Sequence, residues 1–342
     1  MSVTIKDVAK KAGVAPSTVS RVIADSPKIS ENTKKKVRKV MDELGYHLNL
    51  NARNLVQKST KTIGIVLKKS TSQSLLNPVF PEILNGISAF CHREDFSIIL
   101  TSGGSEEEIF QDTVKIVQGK KVDGIIVMYS KEDDKVVPYL LECGIPFLVI
   151  GKPVSGHNQV MYVDNDNVLA AKQGTEYLIK LGHRRIGFIS ADPSFEVSVS
   201  RCNGYKLALS ENQLAINESY IKSFQIEQKG PAEQAIRELL QMPEPPTALL
   251  VADDLHAMFV LLILRELKIN VPEDVSLVAF NNTIISKLSS PPLTSVNIQT
   301  YQLGYEAARC LVEQIKDPDS SKKSVIVPTT MAERESCLNY NK

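Results

Sequence analysis

The chain of 342 residues contains no tryptophan, and aromatic residues make up only 6% of it. Its five cysteines are scattered, and none stands at the C-x-x-C spacing of a redox or zinc motif: Cys91, Cys143, Cys202, Cys310 and Cys337. The five histidines are equally dispersed. We therefore expect no disulfide framework, no metal site and no cofactor.

Long apolar runs are absent as well. No stretch approaches the roughly 18 residues needed to cross a bilayer, and residues 1–13 lack the apolar core of a signal peptide. We expect a cytoplasmic protein without a membrane partner. A transport sugar-binding protein would carry a signal peptide, so the sequence disfavours that class.

Motifs of the common enzyme classes are also missing. The chain has no G-x-G-x-x-G, no phosphate-binding loop, no nucleophile elbow and no metal-ligand spacing. An enzyme built on this chain would have to use Asp253, Asp254 and His256 as acid and base. We predict that the protein is not an enzyme.

The net charge of +1 averages two unlike parts of the chain. Residues 1–60 hold 12 Lys and Arg against 5 Asp and Glu, a net charge of +7. The remaining residues hold 28 basic and 34 acidic side chains, a net charge of −6. A surface that binds phosphate groups requires such a local excess of positive charge.

The basic region has the pattern of three short helices. Thr4 has a carboxylate three positions on, which predicts a capped helix start, and Gly13 ends that helix. Pro16 opens a second helix after a break of helix-turn-helix length. Ser30 and Gly45 bound a third helix. Together with the charge, this pattern predicts a DNA-binding head.

The second helix is the one that would enter a major groove. The fork of Arg21 fits a guanine, and the basic third helix can contact phosphates. An isolated basic run would be better interpreted as a solvated helix face. The predicted DNA contacts are Thr4, Pro16, Ser17, Thr18, Ser20 and Arg21, and the predicted outer face of the third helix carries Lys34, Lys35, Lys36, Arg38 and Lys39.

From residue 62 onward, apolar runs alternate with segments of helical length, a βαβ pattern. The predicted strands are 63–67, 97–100, 124–128, 146–150, 186–189, 248–251 and 275–280. The predicted helices are 81–93, 106–118, 167–181, 200–211, 232–241, 254–267 and 301–315. This pattern predicts a small all-α head followed by an α/β body of two doubly wound lobes, with a ligand cleft between them.

The chain resembles the lactose repressor (LacI) family along essentially its whole length. In and near the head the matching segments are TIKDVA (4–9), AGV (12–14), STVSRVI (17–23), LGY (44–46) and ARNL (52–55). In the body they are DGII (123–126), VDN (163–165), LGHRRI (181–186), RCNGY (201–205) and VPEDVS (271–276). The resemblance implies a homodimer that reads a near-palindromic operator, and a body of the periplasmic-binding-protein fold.

The resemblance also implies hinge helices that bind the minor groove between the heads. Asn51 and Ala52 would lie in this hinge, and Leu55 would insert between base pairs as an apolar wedge. The chain departs from the family at 46–49, where a proline and an asparagine usually follow the tyrosine. The expected domains are a head at 1–46, a hinge at 47–61, lobe 1 at 62–162 plus 293–321, and lobe 2 at 163–292 plus 322–342.

A small polar ligand between two lobes needs an aromatic wall and a few oriented hydrogen-bonding groups. By the family pattern, Phe80 is that wall and Arg201 grips effector oxygens. Asp164, Asp253 and Asn281 follow apolar runs, at the strand ends where such folds bind ligands.

Phe224 completes the predicted effector contacts, although Phe224 and Phe280 are more often core residues. Asp253-Asp254 could instead cap the following helix, a role that fits Asp254 better than Asp253.

Where the family commonly has an aspartate pair, this chain has Asn281-Asn282, which suits an uncharged ligand such as a sugar. This pair and the NPVF segment at 77–80 are similar to the maltose-operon repressors of the family. We therefore expect a repressor of a carbohydrate-utilisation operon, controlled by maltose or a maltodextrin. The alternative is a global catabolite regulator or a purine-type regulator that uses a corepressor.

Overall fold

The computed structural model describes residues 3–23, 25–46, 59–67, 76–101, 103–154, 159–226 and 229–340. The chain forms two compact units, a head of residues 1–60 and a body of residues 61–342. The predicted hinge residues Asn51, Ala52 and Leu55 lie outside the described residues. Within the described ranges, no helix is long and apolar enough to cross a membrane.

Within its described residues, the head folds into three helices: α1 (Ile5–Ala12), α2 (Pro16–Ile23) and α3 (Glu31–Leu44). Gly13 and Gly45 follow α1 and α3 with φ of 66° and 59°, a left-handed conformation that favours glycine. One apolar face of each helix turns inward, and three valines there are fully buried: Val8, Val19 and Val37. The predicted three-helix head is confirmed.

The described part of the body contains twelve strands. In chain order they are β1 (Thr62–Val66), β2 (Ser97–Leu100), β3 (Gly124–Val127), β4 (Phe147–Ile150), β5 (Met161–Asp164), β6 (Ile186–Ser190), β7 (Ile221–Ser223), β8 (Ala248–Val251), β9 (Ser276–Phe280), β10 (Thr294–Asn297), β11 (Ser324–Ile326) and β12 (Thr330–Ala332). They form one sheet in the order β11-β5-β4-β3-β1-β2 and a second in the order β12-β10-β9-β8-β6-β7. The predicted two-lobed α/β body is confirmed.

Nine helices surround these sheets within the described residues: α4 (Val79–Arg93), α5 (Glu106–Gln118), α6 (Val136–Cys143), α7 (Asn167–Lys180), α8 (Glu196–Glu211), α9 (Lys229–Leu240), α10 (Asp254–Glu266), α11 (Ile284–Leu288) and α12 (Thr300–Lys316). In lobe 1, α4 and α12 pack closely at two glycines. A Cβ on Gly86 would lie 2.0 Å from the Tyr301 carbonyl oxygen, and one on Gly304 would lie 2.0 Å from that of Ile83. Only glycine permits this approach.

The chain passes between the lobes three times, after β5, after β10 and after β11. The predicted domain boundaries need correction here. A boundary at 162/163 cuts through β5, residues 293–321 include β10 of the second sheet, and residues 322–342 include β11 of the first. These short strands belong to a lobe through their pairing with distant strands, which a local pattern does not reveal.

One side chain ties the three crossings together. Asn165 Nδ2 donates hydrogen bonds to the carbonyl oxygens of Ile298 (3.1 Å) and Val327 (2.8 Å), which lie on the other two crossings. The backbone N–H of Val327 in turn donates to the Asp164 carbonyl oxygen at 2.8 Å. The three crossings are therefore joined to one another beside the space between the lobes, and we call them the lobe hinge.

Candidate functional site

The outer side of α2 is free to contact a partner. Val19 and Val22 turn into the head core. The side chains predicted to reach DNA bases lie exposed or half-exposed on the other side: Pro16, Ser17, Thr18, Ser20 and Arg21. Pro16 is the first residue of the helix, where the missing N–H costs no hydrogen bond.

Thr4 is exposed, but its polar groups also hold the start of α1. Its backbone N–H and its hydroxyl both donate to Asp7 Oδ2, at 2.9 and 2.6 Å. These hydrogen bonds lower the pKa of the Asp7 carboxyl. The capping role of Thr4 is confirmed, and its contact with DNA stays a prediction.

The predicted basic outer face of α3 requires one correction, at Lys34. This side chain is buried, and its ammonium group pairs with Asp25 (3.1 Å) and Glu31 (3.0 Å). Asp25 also pairs with Arg38 at 2.7 Å. Lys34 thus stabilises the turn between α2 and α3, whereas Lys35, Lys36, Arg38 and Lys39 remain exposed.

In the body, a cavity of about 980 Å³ lies between the two lobes. Residues just beyond the carboxyl ends of strands in both sheets line it, the position at which open α/β sheets bind ligands. All six predicted effector contacts line this one cavity: Phe80, Asp164, Arg201, Phe224, Asp253 and Asn281.

Arg201 of α8 is buried and held on three sides. Its Nε donates to Asn167 Oδ1 at 3.0 Å, and its Nη1 donates to the Ala252 carbonyl oxygen. Its guanidinium carbon lies 4.2 Å from the centre of the Phe280 ring. Burial lowers the pKa of Arg201 to about 10, which leaves it charged at neutral pH. Its Nη2 makes no hydrogen bond with the described residues and is available to a ligand.

Asp164 is the last residue of β5, and the side chain of Asn167 links it to Arg201. Its Oδ1 accepts from Asn167 Nδ2 at 3.1 Å, and its Oδ2 accepts from the Lys152 backbone N–H at 3.0 Å. Burial raises the pKa of this carboxyl from 3.8 to about 6, against the effect of the backbone N–H donors of Asn165 and Lys152. The two N–H donors therefore offset only part of the cost of burying the charge.

Asp253 both caps α10 and lines the cavity. Its Oδ1 accepts from the His256 backbone N–H (2.8 Å), and its Oδ2 lies 2.9 Å from His256 Nδ1. Burial would raise the pKa of Asp253, but the charge and hydrogen bonds of His256 and the charge of Arg201 hold it below its ordinary value. His256 Nε2 lies 3.2 Å from the Phe224 carbonyl oxygen, which fixes the imidazole against that residue.

Asp254 has a different role from the predicted helix cap. It is the first residue of α10, and its carboxylate accepts from the Thr283 backbone N–H (2.6 Å) and the Ser295 hydroxyl (3.2 Å). Burial raises its pKa to about 6. The expectation that Asp254 caps better than Asp253 is wrong, because in the fold the side chain of Asp253 turns back onto the helix end.

Asn281 follows β9 with φ of 94°, a conformation in which asparagine is less strained than most residues. It is buried against the cavity, and its side-chain amide makes no hydrogen bond with the described residues. By contrast, Asn282 Oδ1 accepts from Arg334 Nη2 at 2.5 Å. Of the pair, Asn281 thus presents its amide to the cavity, whereas Asn282 is held by Arg334 and does not line the cavity.

The apolar part of the cavity wall comes from both lobes. Phe80 at the start of α4 is half-buried in lobe 1, and Phe195, Phe224 and Phe259 come from lobe 2. The ring centre of Phe224 lies 5.3 Å from that of His256, and Phe224 also belongs to the core of lobe 2. Phe224 is therefore both a cavity residue and a core residue. Phe280 is fully buried and is a core residue.

A short backbone bridge joins the lobes at the cavity. The Glu132 N–H donates to the Ser194 carbonyl oxygen (3.0 Å), and the Glu196 N–H donates to that of Ser130 (3.2 Å). Ser130 and Phe195, which line the cavity, are part of this bridge. The lobes are in contact along this side.

Known proteins match nearly the whole chain. Residues 4–49 match the model of bacterial regulatory proteins of the lacI family, and residues 175–337 match that of the periplasmic binding protein-like domain. The transcriptional regulator MalR of Streptococcus pneumoniae is 37% identical over 325 residues, 94% of this chain and 96% of that protein. The chain belongs to the lacI family.

Solved structures of lacI-family regulators share the fold. The complex of the regulator CelR with cellobiose is 32% identical, with a TM-score of 0.76, and the match covers 98% of this chain and 99% of CelR. The lac repressor dimer bound to operator is 25% identical with a TM-score of 0.84, covering 99% and 100%. This lacI-family chain is a DNA-binding transcription regulator.

The sequence did not identify every polar side chain that shapes the cavity. Asn167 bridges Asp164 and Arg201, and His256 fixes Asp253, yet neither was predicted to belong to the ligand site. Asn167 lies three residues beyond Asp164, and recognition of β5 would have placed it near the same sheet edge.

Proposed function

We propose that this lacI-family protein represses a carbohydrate-utilisation operon and is controlled by a neutral sugar, with maltose or a maltodextrin favoured. The observation that carries the proposal is the cavity itself. It combines aromatic side chains with two uncommitted hydrogen-bonding groups, Arg201 Nη2 and the Asn281 amide. Sugars present apolar ring faces and hydroxyl edges that such a wall can hold.

The charges around the cavity support an uncharged effector. Among the described lining residues, four carry carboxylates and only Arg201 carries a guanidinium. The four acidic residues are Glu106, Asp164, Asp192 and Asp253. A phosphorylated sugar or an organic acid would meet this excess of negative charge at close range. The relatives support a glucose-containing oligosaccharide, since a solved structure that is 30% identical is described as that of a maltose operon transcriptional repressor, and CelR was solved with cellobiose.

The lobe hinge offers a physical route from the cavity toward DNA. A ligand that favours one arrangement of the lobes acts on three crossings joined at Asn165, so they respond together. An allosteric effect of the usual 1–3 kcal/mol requires only a difference in ligand affinity between two such arrangements. We infer that the change passes to hinge residues Asn51, Ala52 and Leu55 and then to the head.

The operator is proposed to be near-palindromic and to bind a homodimer in the cytoplasm. An exposed apolar face on α11 and the adjoining groove of α10 are suited to a second copy of this chain. Ile284 and Leu288 are 51% and 77% exposed, and Met258 and Leu262 line the groove. Two half-sites need two heads, which a twofold dimer supplies. Leu288→Asp should shift the protein toward monomer in sedimentation.

Calorimetry and thermal unfolding of the full chain test the effector. Maltose, maltotriose, cellobiose, sucrose, hypoxanthine and glucose 6-phosphate are titrated separately, because a cavity ligand raises the melting temperature by mass action. Maltose or maltotriose should stabilise the protein and change its affinity for operator DNA. Stabilisation by hypoxanthine alone would favour the purine alternative, and a need for a phosphorylated carrier protein would favour the catabolite alternative.

A further inference from the structure

Asn167 stands between the lobes at the centre of the polar network. It is the first residue of α7, lines the cavity and is 4% exposed. We propose that Asn167 is the positioning residue of the effector site, whose side-chain amide holds the Arg201 guanidinium in the orientation that receives a ligand. The role in effector binding rests on the function proposed above, whereas the hydrogen-bonding role does not.

The chemistry of the two neighbours requires an amide at this position. Asn167 Oδ1 accepts from Arg201 Nε, and Nδ2 donates to Asp164 Oδ1. An amide has a fixed acceptor and a fixed donor, so each end can serve only one of these partners. A carboxylate would lack the donor and would face Asp164, while an ammonium group would lack the acceptor.

The remaining contacts of Arg201 show what Asn167 adds. Nη1 is held by the Ala252 carbonyl oxygen, and the planar face lies over the Phe280 ring. With these two contacts alone the guanidinium could still turn within its own plane about the Nη1 hydrogen bond, and the hydrogen bond from Nε to Asn167 prevents that movement. The Nη2 donors then point in a fixed direction, which lowers the entropy cost of binding a ligand.

The same side chain connects the cavity with the lobe hinge. Asn167 and Asp164 flank Asn165, which binds the other two crossings. A force that a ligand exerts on Arg201 therefore reaches the lobe hinge through two hydrogen bonds, from Arg201 to Asn167 and from Asn167 to Asp164. Loss of Asn167 should weaken both the affinity for the effector and the response of operator binding to it.

The first test needs no ligand. The nitrogen-15 signal of Arg201 Nε and its proton exchange are followed in the full chain and in Asn167→Ala. The variant should shift the signal and speed exchange roughly fivefold, because a hydrogen bond worth about 1 kcal/mol is lost. Asn167→Asp keeps the acceptor, so its signal should stay closer to that of the unmodified protein.

Asp166→Ala is the matched control. Asp166 caps the same helix, is exposed, and accepts from the Leu169 backbone N–H at 2.8 Å without touching Arg201. Its loss should lower the melting temperature of the body slightly, because a helix cap is removed, and should leave the Arg201 signal in place. An equal change in both variants would make Asn167 a structural residue only and overturn the proposal.

The second test measures the dissociation constant of maltose by calorimetry. Asn167→Ala should raise it about tenfold, and by less than about twofold when Arg201 is already Lys, because the two residues act as a unit. Equal effects in both backgrounds would contradict positioning. If the unmodified chain binds none of the sugars, the proposed function fails, while the Arg201 signal still decides the role of Asn167.

Discussion

In the head, the side chains predicted to read DNA lie exposed on one face of α2, whereas in the body the side chains predicted to hold an effector are buried and bonded to one another. Arg21 and Arg201 show the contrast. Arg21 is exposed, and Arg201 is 7% exposed and bound by Asn167 and Ala252. The head can therefore vary its DNA contacts without changing its core.

The body lacks this separation of recognition from stability. Removal of a charge from the cavity leaves its partners buried without compensation, which costs more than the loss of an exposed pair. A substitution in the cavity should therefore change both ligand binding and unfolding, while one at an exposed position of α2 should change DNA binding alone. The following substitutions test that difference, from the largest expected effect to the smallest.

Arg201→Ala should have the largest effect. It removes the buried cation whose charge favours the ionised forms of Asp164 and Asp253, and leaving buried charges without compensation costs about 3–5 kcal/mol. We expect a lower urea midpoint for the body and no response to maltose, with operator binding retained in protein that is still folded. Arg237→Ala, at an exposed pair with Glu233 (2.6 Å), is the control and should change little. If Arg201→Ala unfolded at the same urea midpoint as the wild type, the proposed difference between the head and the body would be wrong.

Arg21→Ala should affect DNA alone. Loss of a bidentate contact to a base costs about 1–3 kcal/mol, so the operator dissociation constant should rise roughly 5- to 150-fold. The melting temperature and the response to sugar should not change, because Arg21 is exposed on the head. Fluorescence anisotropy with operator and with unrelated DNA measures the effect. A similar loss on both DNAs would assign Arg21 to phosphate binding.

Acidification should change the contribution of Asp254 in the body and those of Asp7 and Glu43 in the head in opposite directions. The pKa of Asp254 is about 6 in the fold against 3.8 ordinarily, so this group stabilises the body at low pH, and its contribution is lost as pH rises through about 6. The pKa values of Asp7 and Glu43 in the head are lowered by hydrogen bonds from Thr4 and Lys11, so the head should lose stability as pH falls toward 4.

Unfolding in urea at pH 5 and pH 7 measures this pH dependence. From pH 7 to pH 5, the wild-type body should gain about 1 kcal/mol relative to Asp254→Asn, which has no carboxyl to protonate. The comparison cancels the opposite contribution of His183, whose pKa is lowered by burial in both proteins. Equal pH slopes would show that Asp254 does not titrate in this range.

Lys11→Ala should have the smallest effect. Lys11 pairs with Glu43 at 2.9 Å, and the two side chains are 45% and 43% exposed. Exposed pairs contribute about 0.2–1 kcal/mol, so the urea midpoint of the head should barely move, least of all at high salt. Lys34→Ala, at the buried lysine of the same head, should cost more. Equal costs for the two would contradict the burial of Lys34.

Much of this architecture is predictable from the sequence because it depends on local patterns. The capped starts at Thr4 and Ser30, the glycine stops and the βαβ alternation depend on residues a few positions apart. The strands at Ser97–Leu100 and Ala248–Val251 and the helix at Glu106–Gln118 agree with prediction to the residue. Four of the six predicted effector residues, Asp164, Phe224, Asp253 and Asn281, lie at or just beyond strand ends, which share an edge in parallel sheets.

The elements that were missed are short or partly polar. The strands β7, β11 and β12 have three residues each, β5 has four and ends in Asp164, and β10 contains Thr294, Ser295 and Asn297. Such segments become strands because a neighbouring strand is already in place to pair with them. Their absence from the prediction explains the misplaced domain boundaries.

The sequence by itself determined the helical head, the alternating body and membership of the lacI family, because each follows from periodicity, capping or a contiguous motif. Only the tertiary structure decided that Lys34 is buried, that Asp253 rather than Asp254 caps α10, and that Asn167 connects Asp164 to Arg201. Burial and hydrogen-bond partners arise from elements far apart in the chain, so they exist only once the lobes have folded and come together.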